Sequence, residues 1–94
     1  MNNVDIPKYT LISYLRDKNG EPKGVLVATK MHEGGYNVGY SFCSKYDRFC
    51  KKLGLRIALG RASFVTDIIE NMPRDLKKIL PKFIQRCEKY YKVS

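Results

Sequence analysis

Ninety-four residues, 44% of them hydrophobic, supply one modest core and no material for a second, so the chain reads as a single domain over 1–94. The formal net charge is +9, from 18 Lys and Arg against 9 Asp and Glu, which points to a polyanionic partner rather than to an acidic, solvating chain. No uncharged apolar run is long enough to span a bilayer, and Met-Asn-Asn-Val-Asp-Ile-Pro lacks the basic start and apolar stretch of a signal peptide, so a cytoplasmic protein without a membrane partner is expected. Three cysteines (Cys43, Cys50, Cys87), odd in number and without a C-x-x-C, argue against a secreted disulfide framework. With His32 they also lack the close ligand spacing of a zinc site. Buried free thiols are the expected use, with no metal and no cofactor.

From Lys8 to Asp17, Tyr9, Leu11, Ser13 and Leu15 alternate with Thr10, Ile12, Tyr14 and Arg16, the period of a strand. Asn19-Gly20 and Pro22 then supply turn chemistry. Gly24–Lys30 is the second expected strand, with Val25, Val27 and Thr29 on one face and Leu26 and Ala28 on the other. Apolar on both faces, it belongs in the middle of a sheet. Gly34-Gly35 marks the next turn, and Tyr36–Cys43 the third strand of an antiparallel meander.

Ser44 resembles a helix N-cap, with Asp47 three residues on. Tyr46, Phe49, Cys50, Leu53 and Ile57 fall on one helical face, and Lys45, Arg48, Lys52 and Arg56 on the other, predicting a helix from 44 to about 62 despite Gly54. Thr66-Asp67 could cap a short helix over Ile68 and Ile69, and Pro73 suits the first turn of a last one. There Leu76, Ile79, Leu80, Phe83, Ile84, Cys87 and Tyr91 form the apolar stripe and Lys78, Lys82, Arg86 and Lys89 the basic one. Pro81 predicts a kink or break. The expected fold is α+β: a three-stranded antiparallel β-meander followed by two or three α-helices packed on one face.

The charge is not spread evenly. Residues 1–43 are close to balance, whereas residues 44–62 hold six cations against one carboxylate and residues 74–92 seven against two. Cations at helical spacing with few interleaved carboxylates can follow a phosphate backbone, and tyrosines beside them can stack on unpaired bases. The candidate nucleic-acid-binding residues are therefore Lys45, Arg48, Lys51, Lys52, Arg56 and Arg61, then Lys78, Lys82, Arg86 and Lys89, with Tyr40 and Tyr46. The bland alternatives are solvated Lys-rich faces and core tyrosines. Whether the two basic stripes share one surface is open at this level.

Catalysis has little to stand on. His32 is the single histidine, placed in a turn with only its neighbour Glu33 as a carboxylate, and no phosphate loop, nucleophile triad or acidic metal cluster is visible. A non-enzymatic protein is expected. No helix-turn-helix, zinc finger or basic zipper is evident, so backbone- or shape-directed RNA binding is favoured over sequence-specific DNA binding.

The segment from Val38 through Gly39-Tyr40-Ser41-Phe42-Cys43 to Gly60-Arg61-Ala62, with the preceding Gly24-Val25-Leu26-Val27-Ala28, resembles a stretch found in small proteins of T-even-like tailed bacteriophages, and among these the phage inhibitors (antitoxins) of the ToxN ribonuclease toxin. That resemblance implies a counter-defence protein working with RNA in the host cytoplasm, partnered by a host toxin, and it carries over no catalytic residues. Two other readings stay beside it: a protein–protein inhibitor docking its basic face on an acidic host protein without nucleic acid, and a small DNA-binding regulator.

Overall fold

The structure is a computed structural model in which residues 6–43 and 50–91 are described. Three strands, β1 (Leu11–Arg16), β2 (Pro22–Lys30) and β3 (Tyr36–Phe42), form an antiparallel sheet in the order β1-β2-β3. Helix α1 (Lys51–Gly60), the short α2 (Val65–Ile68), a 3-10 turn over Ile69–Asn71 and the long α3 (Arg74–Tyr91) follow, so the fold is α+β.

Turn chemistry sets the register. Asp17 Oδ1 accepts from the backbone N–H of Asn19 and of Glu21, while Gly20, at φ +83°, closes the first hairpin. Gly34 and Gly35, both at positive φ, close the second, where Met31 N–H donates to the Gly35 carbonyl. The strand at Lys8–Asp17 begins later than its alternation predicts, because Tyr9 takes a left-handed conformation (φ +62°) outside the sheet.

The strand faces separate as the period-2 pattern requires. Leu11, Leu26, Ala28 and Val38 meet Met72, Leu76, Leu80, Phe83 and Cys87 in the larger core cluster. Val25 and Val27, on the reverse side, meet Leu55 and Ala58, with Ile12, Tyr14 and Leu59 around them. The expectation that the helices cover one face is thus corrected: α1 packs on one face of the sheet and α3 on the other. The reason lies in β2, where Val25 through Ala28 are all fully buried, so each face needs its own apolar cover. The chain crosses between faces around the β3 edge, where Val38 and Ser63 exchange backbone hydrogen bonds of 2.7 and 2.9 Å.

Helix α1 turns a different side to the sheet than its apolar periodicity predicts. Leu53 is 52% exposed, while Gly54, Leu55 and Ala58 are buried. A Cβ at Gly39 would collide with the Ala58 carbonyl oxygen and stand 3.0 Å from the Ala62 nitrogen, so backbone approaches backbone there. Small residues at Gly39 and Ala58 let the helix lie close, and that proximity fixes its rotation more strongly than Leu53 can. The Ser44 cap, with Asp47 and the first turns of the expected helix, lies outside the described residues.

Helix α3 runs without interruption through Pro81, contrary to the expected break. Pro81 is exposed, and so is Lys77, whose carbonyl would otherwise receive the missing N–H; that group faces the solvent side of the helix. At the start of α3, Leu76 N–H and Lys77 N–H both donate to the Pro73 carbonyl, placing Pro73 just outside the first turn.

Candidate nucleic-acid interface

The described cations sort by face. On α1, Lys52 and Arg56 are exposed and point away from the Leu55/Ala58 contact with the sheet. Arg61 is exposed at the C-cap, its N–H bonded to the Ile57 and Ala58 carbonyls. Lys51 leans over the Tyr14 ring, its Nζ 5.1 Å from the centroid, at the side of the helix rather than on its crest. Lys45, Arg48 and Tyr46 lie outside the described residues.

On α3, Lys78, Lys82 and Lys89 are exposed on the side opposite Leu76, Leu80, Phe83 and Cys87. Lys77 and Arg74 are exposed cations that the sequence reading left out. Arg86 sits on the flank, where its guanidinium donates to the Ile12 carbonyl at 3.3 Å, tying helix to β1 and committing one N–H inward. The carboxylates of this helix are Asp75, in a salt bridge with Lys23 at 3.1 Å, and Glu88. Among the described residues no other ion pair forms.

Because α1 and α3 cover opposite faces of a single sheet, their solvent sides point in opposite directions. The two basic stripes do not merge into one track. Tyr40 does not join the α1 cations either. It sits on the α3 face, half-buried against the larger core, and its hydroxyl donates to the Asn71 carbonyl at 3.0 Å, so it braces the turn before α3.

No family model, curated protein or solved structure matches the chain.

A second group of residues, absent from the sequence reading, converges where the end of α3 meets the approach to β1 and the end of β2. Tyr9, Lys30, Tyr90 and Tyr91 line an open cleft of about 420 Å³. Tyr91 is its fixed wall. The ring stacks on Tyr36 (centroids 5.5 Å, planes 17° apart) and meets Tyr90 edge-on at 5.0 Å, while the hydroxyl lies within hydrogen-bond reach of the Tyr9 and Ala28 carbonyls and can serve one at a time. Burial pushes the Tyr91 phenol up to about 12, and it raises Tyr36 as well, with the neighbouring Cys87 adding to both. Both tyrosines keep their protons and serve as packing surfaces, Tyr91 also as a hydrogen-bond donor.

Cys87, beneath them, is fully buried and its thiol is pushed up to about 11, chiefly by desolvation. Cys43 is partly buried, and Cys50 is exposed, which corrects the expectation that every thiol is buried. Among the described residues no three His, Cys, Asp or Glu side chains converge as a metal site would need. His32 is exposed on the second hairpin turn. No helix of the described residues is long and apolar enough to cross a membrane.

Proposed function

We propose that this chain is a small nucleic-acid-binding protein that takes RNA on two opposed basic faces, and that it works as a phage-type counter-defence inhibitor (antitoxin) of a host ribonuclease toxin in the host cytoplasm. The observation that carries the binding half is the opposition of two helix crests, Lys52/Arg56 on one side and Lys78/Lys82/Lys89 on the other, with no ion pair to these cations among the described residues. Phosphate is the partner such crests suit, through counterion release rather than base reading. The toxin half rests on the phage-protein resemblance of the Val38–Ala62 segment.

Opposed faces give the mechanism a particular form. The two crests form no single track, so in this mechanism each face holds its own RNA segment and the protein bridges them. Toxin-bound RNA would be gathered with other RNA into one particle, keeping the ribonuclease from cellular transcripts. Action by binding rather than catalysis fits an exposed His32 in a turn.

Binding to labelled single-stranded RNA, duplex RNA and duplex DNA across a salt series tests the reading. RNA binding whose affinity falls with salt, with about two or three phosphates neutralised per face, is the expected result. Nuclease treatment of a toxin complex should then disperse it. A complex that survives nuclease, from a protein that binds none of the three nucleic acids at low salt, would instead make the basic faces docking surfaces for an acidic protein. Preference for a palindromic DNA duplex would favour a DNA regulator.

A further inference from the structure

We propose that the cleft between Tyr9, Tyr90 and Tyr91 is a stacking site for one unpaired base of single-stranded RNA, with Lys30 taking the adjoining phosphate. The inference rests on the nucleic-acid reading above and adds to it a chemistry that the helix crests lack. The cleft's volume of about 420 Å³ falls within the range of sites that hold small ligands. Among the described residues its lining is three aromatic rings and one ammonium group, with no carboxylate.

Two of the rings are spare. Tyr9 is 56% exposed and Tyr90 49% exposed, although large aromatics gain by burial and a core lies next to them. Tyr91 and Tyr36 are spent on packing, and the Tyr91 hydroxyl is anchored on backbone carbonyls. The wall is therefore rigid while the Tyr9 and Tyr90 rings beside it keep about half of their surface exposed. Tyr9 adds a second, independent sign. It is the one non-glycine among the described residues at positive φ, a conformation a tyrosine adopts only where its surroundings impose it. The conformation is held in place by the Tyr91 hydroxyl at its carbonyl and by the turn just before it, where the Thr10 hydroxyl donates to the Pro7 carbonyl at 2.6 Å.

The charge decides the class of occupant. Lys30 Nζ stands 5.3 Å from the Tyr9 ring centroid, so a cationic partner such as an arginine side chain would meet repulsion at the face it needs. A base presents a flat π-face to the rings and brings a phosphate that Lys30 can pair with. Duplex RNA keeps its bases stacked internally and offers nothing to the cleft.

The test uses the full chain and a single-stranded RNA carrying one 2-aminopurine, beside a duplex of the same length. The single strand should bind with a change in 2-aminopurine fluorescence. Tyr90→Leu should lower its affinity roughly 5- to 150-fold and abolish that change, leaving duplex affinity and the single-strand salt slope as they were. Lys30→Gln should instead lower the slope by about 0.7. Tyr90 is half exposed, so a circular dichroism melt close to the parent's is expected for the leucine variant. Single-strand affinity and fluorescence unchanged by Tyr90→Leu, with the parent binding RNA normally, would overturn the cleft alone. A parent that binds no RNA would overturn the nucleic-acid reading and the cleft with it.

Discussion

Bridging by opposed faces makes a prediction that separates binding from assembly. Lys78 and Lys89, with Lys82 between them, lie eleven residue steps apart on α3, about 16 Å along the axis, which matches about five phosphates of one duplex strand. Replacing all three with Gln removes three cations from one crest and leaves the Leu76/Leu80/Phe83/Cys87 side untouched. On single-stranded RNA the salt slope of that face should fall by about 2, so the parent's advantage over the variant should change about 100-fold for each tenfold change in salt. The variant still carries Lys52 and Arg56 on the other side, and should therefore bind RNA with one face only. Static light scattering at matched stoichiometry should show large particles with the parent and none with the variant, while a filter or fluorescence assay still records a one-to-one complex. Lys52→Gln/Arg56→Gln should give the mirror result. Particles that persist with the α3 triple variant at a reduced slope would refute the two-face mechanism, since bridging would then not depend on the second crest.

The remaining predictions concern the frame that holds those faces. Leu55→Ala should cost about 2–4 kcal/mol in urea unfolding, while Leu53→Ala, on the exposed side of the same helix, should stay within about 0.5 kcal/mol. Gly39→Ala should destabilise by about 1–3 kcal/mol or more, because the new methyl meets the Ala58 carbonyl, which is helix backbone and cannot swing aside. Gly60→Ala, with open space around it, should stabilise by about 0.5–1 kcal/mol. Alkaline pH should also weaken the fold. Folding raises the Cys87 thiol from 9.0 to about 11 and the Tyr91 phenol from 10.0 to about 12, so the native state holds both protons more tightly than the unfolded chain. Their contribution is fully present below pH 9 and fades as pH rises through 11 and 12; thermal melts from pH 8 to 12 should show the decline, flattened in Cys87→Ala/Tyr91→Phe.

What the sequence reveals depends on how local the deciding force is. The meander was legible because Asn19-Gly20 and Gly34-Gly35 set turns directly, and because period-2 alternation sorts Leu26 and Ala28 from Val25 and Val27. The rotation of α1 was not, since it is decided by backbone contact between Gly39 and Ala58, nineteen residues apart, rather than by the Leu53 and Ile57 periodicity. Pro81 was misleading for a related reason: its cost depends on which way the orphaned Lys77 carbonyl faces, and it faces the solvent side. The crest cations of α3 were readable from spacing alone. The aromatic cleft was not, because Tyr9 and Tyr90 lie near opposite ends of the chain and meet through the packing of α3 on the sheet, with the Tyr91 hydroxyl reaching the Tyr9 or Ala28 carbonyl.

One strand links the fold to the proposed mechanism. Because Val25, Leu26, Val27 and Ala28 are all fully buried, β2 cannot leave either face of the sheet open to water, and a helix must cover each. Each helix is amphipathic, so covering the sheet turns its basic side outward. Two basic helices on opposite faces of a three-stranded sheet present cations in opposite directions whatever their individual sequences. One flat groove carrying both crests is therefore closed to this architecture, and on the proposed function it would join separate polyanion segments. A polar substitution in the middle of β2 that exposed one face, such as Val27→Lys, should release α1 from the sheet and with it the rigid opposition on which bridging depends, so that any RNA binding left would be confined to the α3 crest.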